Sequence, residues 1–219
     1  MQISRSFRWL LGAAAMTGVP AQSGAQPVGS EFQVNTYTTA AQRTAPLGGN
    51  VVAADASGNF VVVWQSLGQD GSANGIFGQR YDNAGVPQGG KFRVHTSNPR
   101  LQRLATDVAY NSDGNFVVVW NALNLDGSGY GVFGRSFDSA GVPQSEQFQI
   151  NAFTTGDQGS PSVSAKGPNE FVVAWFSDGQ DGNGASVFGR RVLNPAGQAG
   201  GRVEDQRTRT QSSASAAKR

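Results

Sequence analysis

The chain has no cysteine and a single histidine among its 219 residues. A disulfide framework, a zinc cluster with thiolate ligands and a cysteine nucleophile are therefore excluded. Charged residues are scarce, at 15%, against roughly 25% in an average soluble domain. No apolar run in the body of the chain is long enough to cross a bilayer, so a multi-span membrane protein is excluded as well.

The net charge of +2 is distributed unevenly along the chain. Residues 1–29 contribute +2 and residues 202–219 contribute +3, which leaves −3 for residues 30–201. Nucleic-acid binding by a folded domain needs a basic face, and the body of the chain offers none. We therefore expect no nucleic-acid partner. Residues 206–219 are rich in Ser, Ala, Thr and Arg, which predicts a disordered basic tail.

The N-terminus has the three parts of an export signal. Arg5 and Arg8 precede an apolar stretch over residues 9–19, and Ser23 and Ala25 follow as small residues suited to cleavage. This pattern predicts a signal peptide over residues 1–25 and a periplasmic or extracellular protein whose mature chain has no transmembrane anchor. The alternative is a disordered or amphipathic N-terminal extension.

An internal repeat with a period of 56 and then 55 residues is the strongest feature of the sequence. Each copy has a Phe-Val-Val-(Val/Ala)-Trp run, then an Asp-Gly loop, then a Phe-Gly pair. A fixed period of this length indicates a repeat architecture. The recurring residues are the tryptophans Trp64, Trp120 and Trp175, the aspartates Asp70, Asp126 and Asp181, and the phenylalanines Phe77, Phe133 and Phe188.

Each repeat is predicted to form four short antiparallel strands, here called a, b, c and d in chain order. Short runs rich in Val, Phe, Trp and Tyr alternate with Gly, Asn, Asp, Ser and Pro, which is typical of strands joined by turns. The predicted units are residues 46–96, 104–152 and 161–205, within a domain over residues 30–205. Strand b, such as residues 60–64, is apolar on both faces, so we expect a neighbouring sheet on each side.

Tandem four-stranded sheets that cover one another predict an all-β fold of β-propeller-like blades. An immunoglobulin-like array is the alternative, but it needs about seven strands in roughly 100 residues. The repeat string also resembles tandem repeats of large exported bacterial proteins, some of which carry RTX-type calcium-binding arrays. The resemblance covers residues 31–201 and implies a secreted repeat module. This chain has no Gly-Gly-x-Gly-x-Asp nonapeptide, so an RTX calcium site is not implied.

Three blades are too few for a closed propeller, which needs four to eight. Residues 31–36 match strand d but have no blade before them, and the expected strand d of the third unit, near residues 202–205, has lost an apolar residue. One hypothesis is that residues 31–36 complete the third blade of a second protomer, which gives a head-to-tail six-bladed dimer. The alternative is a fragment of a longer repeat protein.

The loop aspartates are the candidate ligands. Asp70, Asp126 and Asp181, with Asp178 beside the last, are predicted at one rim, where they could bind calcium, a surface glycan or a protein. The alternative is that Asp-Gly only forms turns, because these residues favour turns for backbone reasons. The tryptophans and the Phe-Gly phenylalanines are predicted to be core residues, with the glycines allowing close approach of the neighbouring sheet.

No catalytic arrangement can be assembled from the repeat. His95 is the only histidine, and Asn35 and Asn151 occupy its equivalent positions, so no Ser-His-Asp arrangement is predicted. The prediction is therefore a non-enzymatic exported module for binding or structural interaction at or outside the cell surface. The alternative is a propeller-type hydrolase that acts on glycans through rim carboxylates.

Overall fold

The computed structural model describes residues 29–44, 49–71, 74–96 and 103–193, with the side chains of residues 103–105 left out. The described residues contain strands and turns and no helix. The strands are β1 (Gln42–Arg43), β2 (Val52–Ala54), β3 (Phe60–Ser66), β4 (Gly75–Tyr81), β5 (Pro87–Arg93), β6 (Arg103–Tyr110), β7 (Phe116–Leu123), β8 (Tyr130–Phe137), β9 (Phe148–Gln149), β10 (Gln158–Gly167), β11 (Glu170–Asp178) and β12 (Ala185–Leu193).

The strands form three antiparallel sheets, one for each repeat. The first sheet contains β1 to β5, the second has the order β6-β7-β8-β9, and the third has the order β10-β11-β12. In the first sheet β1 and β2 both pair with β3, at its two ends, so strand a of this repeat is divided. The predicted all-β fold of tandem propeller-like blades is confirmed. The predicted strand near residues 202–205 lies outside the described residues.

Side-chain oxygens fix the turns between strands. Asp55 and Asn111 begin the turns from strand a to strand b, and each accepts hydrogen bonds from the backbone N–H groups two and four residues on. Asp82 and Asp138 do the same in the turns from strand c to strand d. This bonding is why Asp and Asn recur at these positions, since such side chains stabilise a turn by bonding their own backbone.

The sheets pack face to face, and the second sheet supplies side chains to both interfaces. Its Phe116, Val118 and Trp120 pack with Val61 and Val63 of the first sheet in one buried cluster. Its Val117 and Val119 pack with Phe171, Val173 and Trp175 of the third sheet in another. Because side chains alternate along a strand, β7 is buried on both faces.

Asp107 of the second sheet connects all three sheets. Its side chain is buried, and its carboxylate accepts hydrogen bonds from the backbone N–H of Asn50 at 3.2 Å and of Val163 at 3.1 Å. Asn50 precedes β2, whereas Val163 lies in β10. The backbone N–H of Val108 donates to the same carboxylate at 2.7 Å. A buried polar group is tolerated here because several backbone donors replace its water.

In the third sheet, the neighbour expected on the second face of strand b is not found within the described residues. Along β11, buried and exposed residues alternate strictly after Glu170. Its outer face is open because no further sheet follows within the described residues. We call this surface the outer face of the third sheet and define it by four apolar side chains that are 36–80% exposed, namely Val172, Phe176, Val187 and Leu193.

Two further expectations need correction. The glycines of the Phe-Gly pairs make room within their own sheet and not for a neighbouring one. A Cβ at Gly78 would lie 2.6 Å from Phe92 Cζ, and one at Gly134 would lie 3.1 Å from Phe148 Cζ, because these rings of strand d lie over the glycines.

Residues 31–36, predicted as a strand, belong to no strand of the single chain. Their pairing with a second protomer stays a prediction.

Candidate functional site at the loop rim

The loops from strand b to strand c and from strand d to strand a meet at one rim of the stacked sheets. In the second repeat the backbone N–H of Tyr130 donates to the Asp157 carboxylate at 2.9 Å. The backbone N–H of Gly156 donates to Ser128 Oγ at 3.4 Å. The antiparallel order of the strands places both loops at the same edge, so polar side chains from the two loops lie close together.

Asp126 is joined to the end of strand d in its own repeat. Its Oδ2 accepts a hydrogen bond from Asn151 Nδ2 at 2.9 Å. The buried Asn151 also donates to the Gln158 side chain and to the Phe153 carbonyl, both at 2.9 Å, and accepts from the Val132 backbone N–H at 2.8 Å. The carboxylate therefore belongs to a buried network that holds the loop to the sheet.

Asp70 occupies the equivalent position in the first repeat, with His95 where the second repeat has Asn151. The Asp70 Oδ2 lies 3.2 Å from His95 Nε2 and 3.8 Å from Arg93 Nη1. His95 is fully buried, and its ring meets that of Phe77 edge to face at 6.5 Å. His95 thus has the same structural role as Asn151: each contacts the loop aspartate of its own repeat. This agrees with the equivalence of the two positions in the sequence.

The third repeat holds its loop aspartates differently. Asp181 accepts hydrogen bonds from the Asn183 backbone N–H at 3.0 Å and from Ser186 Oγ. The Ser186 bond holds the pKa of the Asp181 carboxyl below its usual value. Asp178, at the end of β11, is exposed. The equivalent of His95 and Asn151 in this repeat lies outside the described residues.

The three tryptophans lie inside the molecule. Trp64, Trp120 and Trp175 are 5%, 0% and 6% exposed, and none of their indole nitrogens has a hydrogen-bond partner within the described part of the chain. A tryptophan that stacks on a sugar needs an open ring face, which these do not offer. The three Phe-Gly phenylalanines lie opposite them, because Phe77, Phe133 and Phe188 pair with the three tryptophans in the sheet register.

The rim offers no ready cation site in the described ranges. Among those residues, no group of three or more His, Cys, Asp or Glu side chains is placed to hold a metal ion. Asp70, Asp126 and Asp181 come from loops of different sheets, and each is bonded within its own repeat. The binding of calcium stays a prediction.

The described residues also contain no helix long and apolar enough to span a membrane.

Polar contacts between sheets could not be foreseen from the repeat. Arg135 of β8 donates to the Val94 carbonyl of the first sheet at 3.0 Å, and Arg190 of β12 donates to the Ile150 carbonyl of the second at 2.5 Å. Burial lowers the pKa of Arg135. The two arginines occupy equivalent positions in the repeat, and this recurrence is the sequence signal for a shared structural role. The sequence alone does not show which carbonyl each arginine contacts.

The solved structures that are similar to this chain include two enzymes. One is the endo-arabinase from Bacteroides thetaiotaomicron VPI-5482, at 15% identity, with 68% of this chain and 56% of that chain covered and a TM-score of 0.40. The other is a thermostable family-43 glycoside hydrolase, at 11% identity, with 70% and 56% covered and a TM-score of 0.45. The chain thus spans little more than half the length of either. No protein-family model and no curated protein matches it.

Proposed function

We propose that the protein is an exported, non-enzymatic module that acts through association at or outside the cell surface. The observation that carries this proposal is the contrast between its two candidate surfaces. The rim carboxylates Asp70 and Asp126 are engaged in holding loops to strands. The outer face of the third sheet, in contrast, exposes apolar side chains that no described residue covers.

Exposed apolar side chains on one sheet face support an association role. Large contiguous apolar patches on soluble proteins mark interaction surfaces, because covering apolar surface with a partner removes it from water, which is favourable. Val187 is 80% exposed and Val172 is 37% exposed, and the two lie on neighbouring strands. At the rim, in contrast, the carboxylates of Asp70, Asp126 and Asp181 already have partners.

The proposal is tested on the purified chain that begins at residue 26. We expect no release of reducing sugar from a panel of plant and bacterial polysaccharides. Hydrolysis that is lost in the Asp178→Asn or Asp181→Asn variant, with an unchanged melting temperature, would support the glycan hydrolase instead. Asp113→Asn, an exposed aspartate in a turn on another sheet, is the matched control.

Export is tested separately, in a bacterium that expresses the full chain. We expect the protein in the periplasm or the medium, with a new N-terminus near residue 26. Replacement of Leu10 and Leu11 by aspartate would disrupt the apolar stretch and should leave the protein unprocessed in the cytoplasm. An unprocessed cytoplasmic wild-type protein would contradict the proposal.

A further inference from the structure

The segment before the first sheet lies where strand d of a preceding sheet would lie. In sequence, Val34 corresponds to Val94 and Ile150, which follow strand d in the first and second sheets. The carbonyls of Val94 and Ile150 each accept a hydrogen bond from an arginine of the next sheet. The Val34 carbonyl also accepts a hydrogen bond from the first sheet, here from the Tyr81 hydroxyl at 3.4 Å, because Gln79 stands at the arginine position.

Two further contacts repeat between this segment and the true d strands. Lys91 Nζ donates to Thr36 Oγ1 at 2.9 Å, and the equivalent residues of the next interface, Gln147 and Thr96, are joined at 3.1 Å. Asn35 Nδ2 donates to the carbonyl two residues on at 2.8 Å, as Asn151 does at 2.9 Å. Residues 33–36 therefore make contacts of the kind that a d strand makes, although they belong to no sheet of the described residues.

Within the described residues, the third sheet has no strand at the position that this segment would fill. It has three described strands, whereas the second sheet has a fourth, β9, paired with β8. The strand equivalent to β8 is β12, which pairs only with β11 among the described residues. Among the described residues, one end of the molecule thus presents a d-like segment without a sheet, and the other end presents a sheet without a d strand.

An arginine on the outer face of the third sheet matches a turn on the first sheet. Arg80 of the first sheet donates to the Ser139 carbonyl in a turn of the second sheet. Its Nε lies 2.8 Å from where a Cβ at Gly141 would be, so the glycine makes room for it. Arg191 is the equivalent of Arg80, and Gly85 is the equivalent of Gly141. Apart from the residues next to Gly85 in the chain, no atom of the described residues lies within 4 Å of a Cβ position at Gly85, so that place is open.

We propose that the outer face of the third sheet binds the first sheet of a second copy of this chain, with residues 33–36 of that copy pairing along β12. This inference rests on the proposed function, since it names the partner of the apolar face. Phe60 and Val62 of β3 are half-buried and point away from the second sheet, because they alternate with the buried Val61 and Val63. In the complex, Val172 and Val187 pack on this face of the second copy. Arg191, whose Nε donates to Glu170 in the single chain, reaches the turn at Asn83 and Gly85 there with the other end of its guanidinium group.

The contact is head-to-tail, because different surfaces of the two copies meet. Such a contact gives a closed ring only if rotation brings the free ends together. Two copies supply six sheets, which is within the four to eight blades of known propellers. The expected species is therefore a dimer with two equal contacts.

Light scattering coupled to size exclusion on the chain that begins at residue 26 tests the inference. We expect twice the mass of one chain for the unaltered protein and for Val142→Lys, the matched control, because Val142 is a 52% exposed valine away from the contact. Val187→Lys should halve the mass with an unchanged circular dichroism spectrum. A monomeric unaltered protein, or a dimeric Val187→Lys variant, overturns the inference.

A second variant tests the direction of the contact. A chain that begins at residue 37 lacks the d-like segment and should be monomeric. Mixed with Val187→Lys it should recover a dimer, because each variant keeps the surface that the other lacks. If two third-sheet faces met each other instead, the shortened chain would stay dimeric, and this result would overturn the head-to-tail contact.

The two proposals fail in different ways. A monomer that is exported and hydrolyses no polysaccharide overturns the pairing of copies and leaves the proposed function in place. A dimer that hydrolyses a glycan overturns the proposed function and leaves the pairing in place.

Discussion

The second and third sheets have almost the same central strand in very different surroundings. β7 begins Phe-Val-Val-Val-Trp, and β11 has Phe-Val-Val-Ala-Trp after its first residue. Val117 of β7 is 1% exposed, whereas its counterpart Val172 is 37% exposed. The third sheet also has Ala174 where the second has Val119, so the open face carries the smaller side chain.

The difference shows that the repeat encodes a sheet with two apolar faces, while the neighbours decide which face is buried. The face that carries Phe171 and Trp175 is covered by the second sheet. The opposite face has the same kind of residues as Val117 and Val119 but no described neighbour. A sheet that keeps such a face is built to be covered, which is why we infer a partner for it.

The largest difference in the free energy of unfolding is expected between two variants that each place a lysine on a central strand, one in β7 and one in β11. Val117→Lys would put an ammonium group in the core without a partner and should lower the free energy of unfolding by about 3 kcal/mol or more. Val172→Lys should change it by less than about 0.5 kcal/mol. Urea unfolding measures both, in the Val187→Lys background so that association makes no contribution. Equal losses would show that the two strands are equally buried.

A smaller difference in stability is expected between substitutions at two equivalent positions of strand a, one in the second sheet and one in the third. Asp107→Ala leaves the backbone N–H groups of Asn50 and Val163 without an acceptor and should cost about 2 kcal/mol. Ser162→Ala, at the equivalent exposed position of the third sheet, should change stability by less than about 0.5 kcal/mol. Thermal melting of the two variants checks this, and a stable Asp107→Ala variant would contradict the bridging role.

The loop aspartates of the same two sheets should differ as well. Asp126→Ala removes one of the three acceptors of the buried Asn151 amide and should cost about 1 kcal/mol. Asp181→Ala acts at an exposed loop and should give no measurable loss. The melting temperatures of both variants test this, and we expect a decrease for Asp126→Ala only. A lower melting temperature for Asp181→Ala alone would contradict the assignment of Asp126 to the fold.

The smallest effect concerns pH at the edge of the third sheet. The hydrogen bond from Arg191 holds the pKa of the Glu170 carboxyl below its usual value, with Lys166 acting in the same direction. The stability from this pair is present above the ordinary carboxyl pKa and is lost as the pH falls through the lowered one. Arg191→Ala should raise the Glu170 pKa towards its ordinary value in an NMR titration, whereas Arg190→Ala should move it less.

The sheets could be predicted from the sequence because strand periodicity and turn residues are local signals. The repeated Phe-Val-Val-Val-Trp run fixes strand b, and Asp82 and Asp138 fix turns through bonds to their own backbone. The open outer face could not be predicted, because Val172 and Val117 have the same sequence context. Exposure depends on whether another sheet follows, which is not a local property.

The candidate site was predictable only in part. The equivalence of His95 with Asn35 and Asn151 indicated a structural position, and the structure places His95 beside Asp70. The bridging by Asp107 was not foreseen, because its partners Asn50 and Val163 are 57 and 56 residues away in sequence. Long-range contacts of a single buried carboxylate leave no mark in the repeat pattern.

The most direct measurement is the labelling rate of a single cysteine on the outer face. The chain has no cysteine of its own, so Val187→Cys and the control Val142→Cys each carry one thiol. We predict that Val187→Cys reacts with a maleimide more slowly as the protein concentration rises, because the first sheet of a second copy covers it, while Val142→Cys reacts at a constant rate. Equal, concentration-independent rates at the two positions would contradict the covering of the third sheet.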